Sequence, residues 1–436
     1  MIFLLDIILS LNLLWAYKSF KNILSPPVLV GAGMLIASLV ATSYYEAWEM
    51  YKICFETVVY IGGGTLFFTL SCLPFLRKHH FSNGYSNLFD QNKLDITRIK
   101  CILLFLNILG AFTCYIKFIV YGAYFGTMLG FSELMSAVRM DTWTGESEFG
   151  FPIYVRLMAK ILLIFSYMVS FIFSVHFFSS KKDKMVMLLC INVLVLCALD
   201  GVISGGAKGE AMERLFAYIT IFVFVFFYKR NSYGINIRLF ILFALAFLLF
   251  YNVFSVFNES IGRERNTDVH NKSSIWSIYI GAQIKNFDIY IKGQDGNDDT
   301  NYYGGETFKT LYSYIDKNYH RNPGRFQVVR TNTLGNVYTQ YYAYHKDFGI
   351  LGIWVVIMLS AILVMFFYNK ACDCLYNFKM SNLHLYAYSF MTLPLFMSFF
   401  SPRLCECVLS VSFVINLILI YLFASIFKSI CLNKKI

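Results

Sequence analysis

The sequence predicts an all-α polytopic membrane protein, and three observations carry that prediction. First, 58% of the 436 residues are hydrophobic, only 14% are charged, and the mean hydropathy is +0.57. A soluble chain of this length would need far more charge to cover its surface. Second, the apolar residues fall into about eleven runs near spanning length. Third, one long polar excursion, from Asn258 to Lys346, interrupts them with about twenty charged side chains of nearly balanced sign. At about 3 kcal/mol for each charge placed at a bilayer centre, that stretch does not span.

Taken in order, the expected spans are Ile2–Tyr17, Pro26–Tyr45, Phe55–Leu76, Ile99–Tyr121, Ile153–Phe178, Met185–Ile203, Leu215–Tyr228, Ile237–Phe257, Phe348–Tyr368, Leu383–Phe400 and Val408–Phe427. The start, Met1-Ile2-Phe3-Leu4-Leu5, has no basic leader and no small-residue cleavage site, and reads as a retained first helix. This divides the chain into helices 1–8 (residues 1–257), one large extracytoplasmic loop domain (258–347) and helices 9–11 (348–436).

Loop charge sets the expected orientation. Basic loops (Lys18 and Lys21; Arg77, Lys78, Arg98 and Lys100; Lys181, Lys182 and Lys184; Lys229, Arg230 and Arg238; Lys370 and Lys379) alternate with acidic or mixed ones. The basic loops and the C-terminus are expected in the cytoplasm, with the N-terminus and the excursion outside. The net charge of +11 is thereby explained by membrane topology, with no nucleic-acid partner.

Two loops carry further structure. Between Gly122 and Pro152, Leu129, Leu134 and Val138 approximate a helical stripe, as in a helix lying at the outer interface. Within the excursion, Trp276 to Tyr290 reads as a short helix or interfacial segment, and Gln294 to Gly305 as loop. The 11 cysteines avoid the excursion, so no disulfide framework holds it, and Cys372-x-Cys374 and Cys405-x-Cys407 lack zinc-ribbon spacing.

Several constellations carry chemistry. Arg263, Arg265, Arg321, Arg325 and Arg330 place planar, bidentate cations in the excursion, suited to phosphate oxygens; the plainer alternative is surface arginines paired with Glu264, Asp268 or Asp316. Ser204-Gly205-Gly206-Ala207-Lys208-Gly209-Glu210 sets glycines around a cation, as an anion cradle or a tight turn between helices, with Arg214 just beyond. Asp295, Asn297, Asp299 and Glu306 match four positions of a calcium loop, but Thr300 stands where glycine is needed, so no metal is expected. His345, Asp347 and Glu306 are candidate proton acceptors. Asp347 also sits where a cap for the ninth span is needed.

The run Thr331-Asn332-Thr333-Leu334-Gly335-Asn336-Val337-Tyr338-Thr339, followed by His345, Asp347-Phe348-Gly349 and Gly352, resembles the signature region of bacterial oligosaccharide repeat unit polymerases, the Wzy-type O-antigen polymerases. The layout is similar to theirs over the whole chain: many spans, one late extracytoplasmic loop, a helix directly after it. Asn332, Thr333, Asn336, Tyr338, Thr339 and Gly349 are the motif positions. Where that family usually has Arg in its small-residue turn, this chain has Lys208.

The resemblance implies a metal-independent glycosyltransferase of the bacterial inner membrane. It would move a growing glycan from one undecaprenyl pyrophosphate carrier to another lipid-linked repeat unit at the periplasmic face, for lipopolysaccharide or related surface polysaccharide. No cofactor is implied. A chain-length regulator and a flippase are the implied protein partners, beside the lipid bilayer. Arg263, Arg265, Arg330, Lys208 and Arg214 would hold the departing pyrophosphate, and His345, Asp347 or Glu306 would serve the acceptor hydroxyl. The rival readings are an O-antigen ligase of the same layout and a lipid-linked oligosaccharide flippase.

Overall fold

A computed structural model describes residues 1–77, 95–125, 130–144, 150–179, 182–205, 209–230, 275–294, 303–316, 326–376 and 383–431. Among the described residues it is all-α apart from one small hairpin, and eight of the described helices are long and apolar enough to cross a membrane. The chain forms two compact units. One comprises residues 1–79, 268–372 and 391–415; the other comprises 80–267, 373–390 and 416–436.

In the first unit, α1 (Ile2–Phe20) packs on α2 (Pro26–Ser43). The apolar side chains Ile2, Leu5 and Leu9 are fully buried, while Phe3, Ile7, Leu11 and Leu14 lie exposed on the helix surface. A helix this apolar on its exposed side is built for lipid rather than water. The one acid of α1, Asp6, accepts from two hydroxyls: Ser38 Oγ and Thr42 Oγ1 of α2 donate to it at 2.6 and 2.8 Å. Prolines 26 and 27 open α2, where a missing N–H costs nothing.

The third span, α3 (Phe55–Phe75), contains a π-helical turn at Val59–Gly63 and ends in a 3₁₀ turn at Leu73–Phe75. Gly64 on it faces Tyr341; a Cβ there would sit 2.6 Å from the tyrosine ring, so this close approach requires glycine.

The second unit is a helical bundle. Its described long helices are α4 (Ile96–Phe125), α6 (Ile153–Phe178), α7 (Lys184–Gly205) and α8 (Gly209–Arg230). The helix expected between Gly122 and Pro152 is α5 (Phe131–Thr144). Leu134 and Val138 are buried there with Met135 against Tyr121 and Ile203, while Leu129 lies outside the described residues.

Described helices begin or end within a few residues of nine expected spans. The eighth, Ile237–Phe257, lies outside the described residues, as do Arg263, Arg265, Arg321, Arg325 and Lys208. The ninth starts eight residues earlier than expected: α12 runs Gln340–Tyr376, with a break at Gly349 (φ 65, ψ −164). The tenth is α13 (Leu383–Phe396) closed by a 3₁₀ turn, and the eleventh is α15 (Val411–Cys431). The short α14 (Arg403–Val408) stands between these two and was not anticipated.

The described part of the excursion is folded onto the first unit's helices. Trp276 to Tyr290 is helical as expected, in two pieces, α9 (Ile275–Ile280) and α10 (Ala282–Ile291). Gly281 at the break approaches α2 so closely that a Cβ would lie 2.8 Å from the Ala41 nitrogen. After α10 come α11 (Lys309–Ile315) and the antiparallel pair β1 (Gln327–Val329) and β2 (Asn332–Gly335).

Candidate functional site

Helix α10 is buried along most of its length, polar residues included. Buried polar groups mostly find partners, and on α10 Asp288, Lys285 and the Asn286 amide nitrogen do, whereas Gln283 Oε1 and Asn286 Oδ1 have none among the described residues. Asp288, fully buried, accepts from the Cys54 N–H at 2.9 Å and Thr57 Oγ1 at 3.1 Å, with Lys292 Nζ at 2.6 Å and Lys285 Nζ at 3.5 Å. Burial holds the Lys285 ammonium below the usual lysine pKa, with Asp288 opposing that shift. Asn286 then reaches the motif: its Nδ2 donates to the Val337 carbonyl at 2.8 Å and to the Leu334 carbonyl at 3.3 Å. Helix α10 thereby positions the backbone of the motif.

The motif itself makes three things in succession. Thr331 follows Arg330 in the hairpin turn, Asn332 to Gly335 form β2, and Asn336 to Thr339 lead into α12. Asn332 Nδ2 donates to the Ala47 carbonyl at 3.2 Å. Gln327 Nε2 donates to Tyr338 Oη at 2.9 Å, and Tyr338 stacks on Tyr342 with ring centroids 4.2 Å apart.

A cavity of about 160 Å³ opens beside this run. Asn336, Val337, Tyr338, Thr339 and Tyr342 wall one part, Glu306 and Lys309 another, and Phe400, Arg403 and Glu406 the rest. By volume it has room for on the order of ten waters, enough for one ligand group. Thr339 is fully buried, and its hydroxyl has no hydrogen-bond partner among the described residues.

Charge lines the cavity in pairs. Glu406, 7% exposed, takes Lys309 Nζ at 2.6 Å on one oxygen and Arg403 Nη1 at 3.4 Å on the other. Glu306 takes Lys346 Nζ at 3.3 Å, and Lys346 also donates to Tyr342 Oη at 3.2 Å. Lys309 and Arg403 thus stand with Glu306 and Glu406 in the cavity wall, and Lys346 pairs with Glu306 beside it. No known protein family, curated protein or solved structure matches this chain.

The residues singled out from the sequence distribute as follows. Glu306, Asn336, Tyr338 and Thr339 meet at the cavity, while Asn332 and Thr333 serve the strand before it. Asp347 was expected to cap a helix beginning at Phe348. It lies inside α12 instead, and its two oxygens accept the backbone N–H groups of Glu306 (3.2 Å) and Thr307 (2.6 Å). Its geometry fixes the turn that carries Glu306. His345 Nδ1 is 3.0 Å from Tyr290 Oη, and its ring stands edge-on to Tyr60. Gly349 takes the left-handed backbone that breaks α12.

Arg330 occupies the hairpin turn with φ 54, an uncommon conformation for a residue other than glycine. Its guanidinium pairs with Glu49 at 3.1 Å and donates to Tyr51 Oη at 3.2 Å. Glu49 also binds Lys52 at 2.7 Å, and that hydrogen bond, then Arg330, holds its carboxyl below the usual range. Arg330 is thus paired with a carboxylate, but that of Glu49 rather than Glu264, Asp268 or Asp316.

Arg214 belongs to the second unit. It is buried and pairs with Asp200 at 3.0 Å and Glu210 at 3.1 Å. Asp200, fully buried within α7, also takes Lys117 of α4 at 2.5 Å, and Lys117 donates onward to Ser204 Oγ at 2.7 Å. Sequence reasoning passed over Lys117 and Asp200, although ionisable residues inside apolar runs are the signal that finds such a network. It passed over Lys309, Arg403 and Glu406 as well. Lys309 lies more than ninety residues before Arg403 and Glu406 in sequence, and only folding puts them on one cavity.

Proposed function

We propose that this protein is a membrane glycosyltransferase of the oligosaccharide repeat unit polymerase type, acting on undecaprenyl-pyrophosphate-linked oligosaccharides at the periplasmic face of a bacterial inner membrane. The observation that carries this reading is the convergence of the motif residues Asn336, Tyr338 and Thr339 with Glu306 on one cavity beside the start of a spanning helix. Glycan transfer from an activated carrier needs three things of a protein. It needs cations near the departing phosphates, an acceptor for a hydroxyl proton, and aromatic or amide surface for a sugar. Lys309 and Arg403, Glu306, and Tyr338 with Asn336 supply these groups. His345 and Asp347, one turn or more along α12, act in this reading on the position of the cavity wall.

The transport reading draws on a different observation, the Lys117–Asp200–Arg214 network inside helices long enough to span. The deciding experiment is deletion of the gene followed by electrophoresis of the cell's lipopolysaccharide. Loss of polymerisation leaves core plus one repeat unit. Bare core overturns the polymerase assignment in favour of ligation or transport.

A further inference from the structure

We propose that Lys309 and Arg403 form an oxyanion site for a phosphate-bearing ligand, and that Glu406 occupies it as an internal substitute until the ligand arrives. The ligand class follows from charge and geometry. Arg403 offers a planar fork and Lys309 a point charge, the pair of donors that phosphate oxygens take best. Glu406 holds both at 2.6 and 3.4 Å, one on each carboxylate oxygen, as two oxygens of a phosphate group would.

The side chains differ in how firmly they are set. Glu406 is 7% exposed, whereas Lys309 and Arg403 are 17% and 34% exposed on the cavity side chains that carry them. Helix α11, which carries Lys309, buries none of its seven residues. A helix so weakly packed shifts at low cost, and the ion pair to Glu406 is one of the contacts that seat it on α14. The fully buried Thr339 hydroxyl, without a partner among the described residues, lines the same cavity and supplies a neutral donor. At this end of the cavity Lys309 and Arg403 converge on the single carboxylate of Glu406.

The inference rests on the proposed function only for the source of the anion, a lipid-linked pyrophosphate or a free one. The test therefore uses binding alone. Purified full-length protein in neutral detergent is titrated calorimetrically with inorganic pyrophosphate, with farnesyl pyrophosphate as the lipid-borne form and sodium chloride as the control. Wild type is expected to bind pyrophosphate weakly. Glu406→Gln removes the competing charge at nearly constant shape, and is expected to bind about tenfold more tightly. Arg403→Gln and Lys309→Gln are expected to lose binding. Tighter binding of the farnesyl form in wild type assigns the anion to a membrane lipid, and equal binding assigns it to the free ion.

Unchanged affinity in Glu406→Gln overturns the role of that residue as a substitute ligand. Retained affinity in Arg403→Gln overturns the site. Should Glu406→Gln fail to fold, the rise in melting temperature of wild type with pyrophosphate, and its absence in Arg403→Gln, decide the matter, since Arg403 is partly exposed. A protein that binds pyrophosphate in this way, but whose deletion leaves the lipopolysaccharide ladder intact, keeps the site and loses the polymerase reading.

Discussion

Neutralising Asp200 isolates the largest electrostatic commitment among the described residues of the second unit. The carboxylate is fully buried and receives Lys117 at 2.5 Å and Arg214 at 3.0 Å, from helices on either side of it in sequence. Asp200→Ala leaves two cations in a medium that cannot solvate them. Breaking a buried pair in this way costs about 3–5 kcal/mol. Arg214 keeps Glu210 and the Cys197 carbonyl, whereas Lys117 keeps Ser204 and the face of Phe151. Lys117 therefore bears most of the loss.

For a body of this size the loss lowers the melting temperature by on the order of 10 °C. Intrinsic fluorescence of the purified protein on heating in detergent reads it. The companion variant Lys117→Met with Asp200→Leu removes the stranded ammonium together with its partner, and should recover at least half of the drop, because apolar replacement of a buried pair is close to neutral. A single variant melting within about 2 °C of wild type, or a double variant no better than the single, would refute the reasoning.

Three further outcomes are expected. In a background without other reactive thiols, Gln294→Cys should react with a membrane-impermeant maleimide in intact spheroplasts, and Lys182→Cys only after lysis; both positions are exposed, so the difference reports side and not burial. The native Cys405 thiol, pushed up to about 11 by burial, should stay unlabelled near pH 8 under conditions that fully label exposed Cys101. Arg330→Gly keeps the left-handed turn while deleting the guanidinium, and should leave the lipopolysaccharide ladder intact, because that guanidinium is already engaged by Glu49 and Tyr51. Collapse of the ladder in Arg330→Gly would return Arg330 to the pyrophosphate clamp.

The sequence by itself determined the class of the protein and the position of most of its helices, because a bilayer forces backbone groups to pair within each apolar segment. That requirement is local. Ile153–Phe178 could be read to the residue, and Trp276–Tyr290 as a short helix or interfacial segment, which is helical in two pieces. The tertiary structure decided what local signals do not carry. It drew α10 into the first unit through Asp288 and Asn286, whose partners lie at Cys54, Thr57 and Val337. It turned Asp347 from a cap of its own helix into an acceptor for the Glu306 turn, forty residues away. It also set Lys309 and Arg403 on a shared carboxylate beside the motif. Most buried polar groups are satisfied where the fold places them, and the choice of partner depends on distances that exist only once the helices have packed.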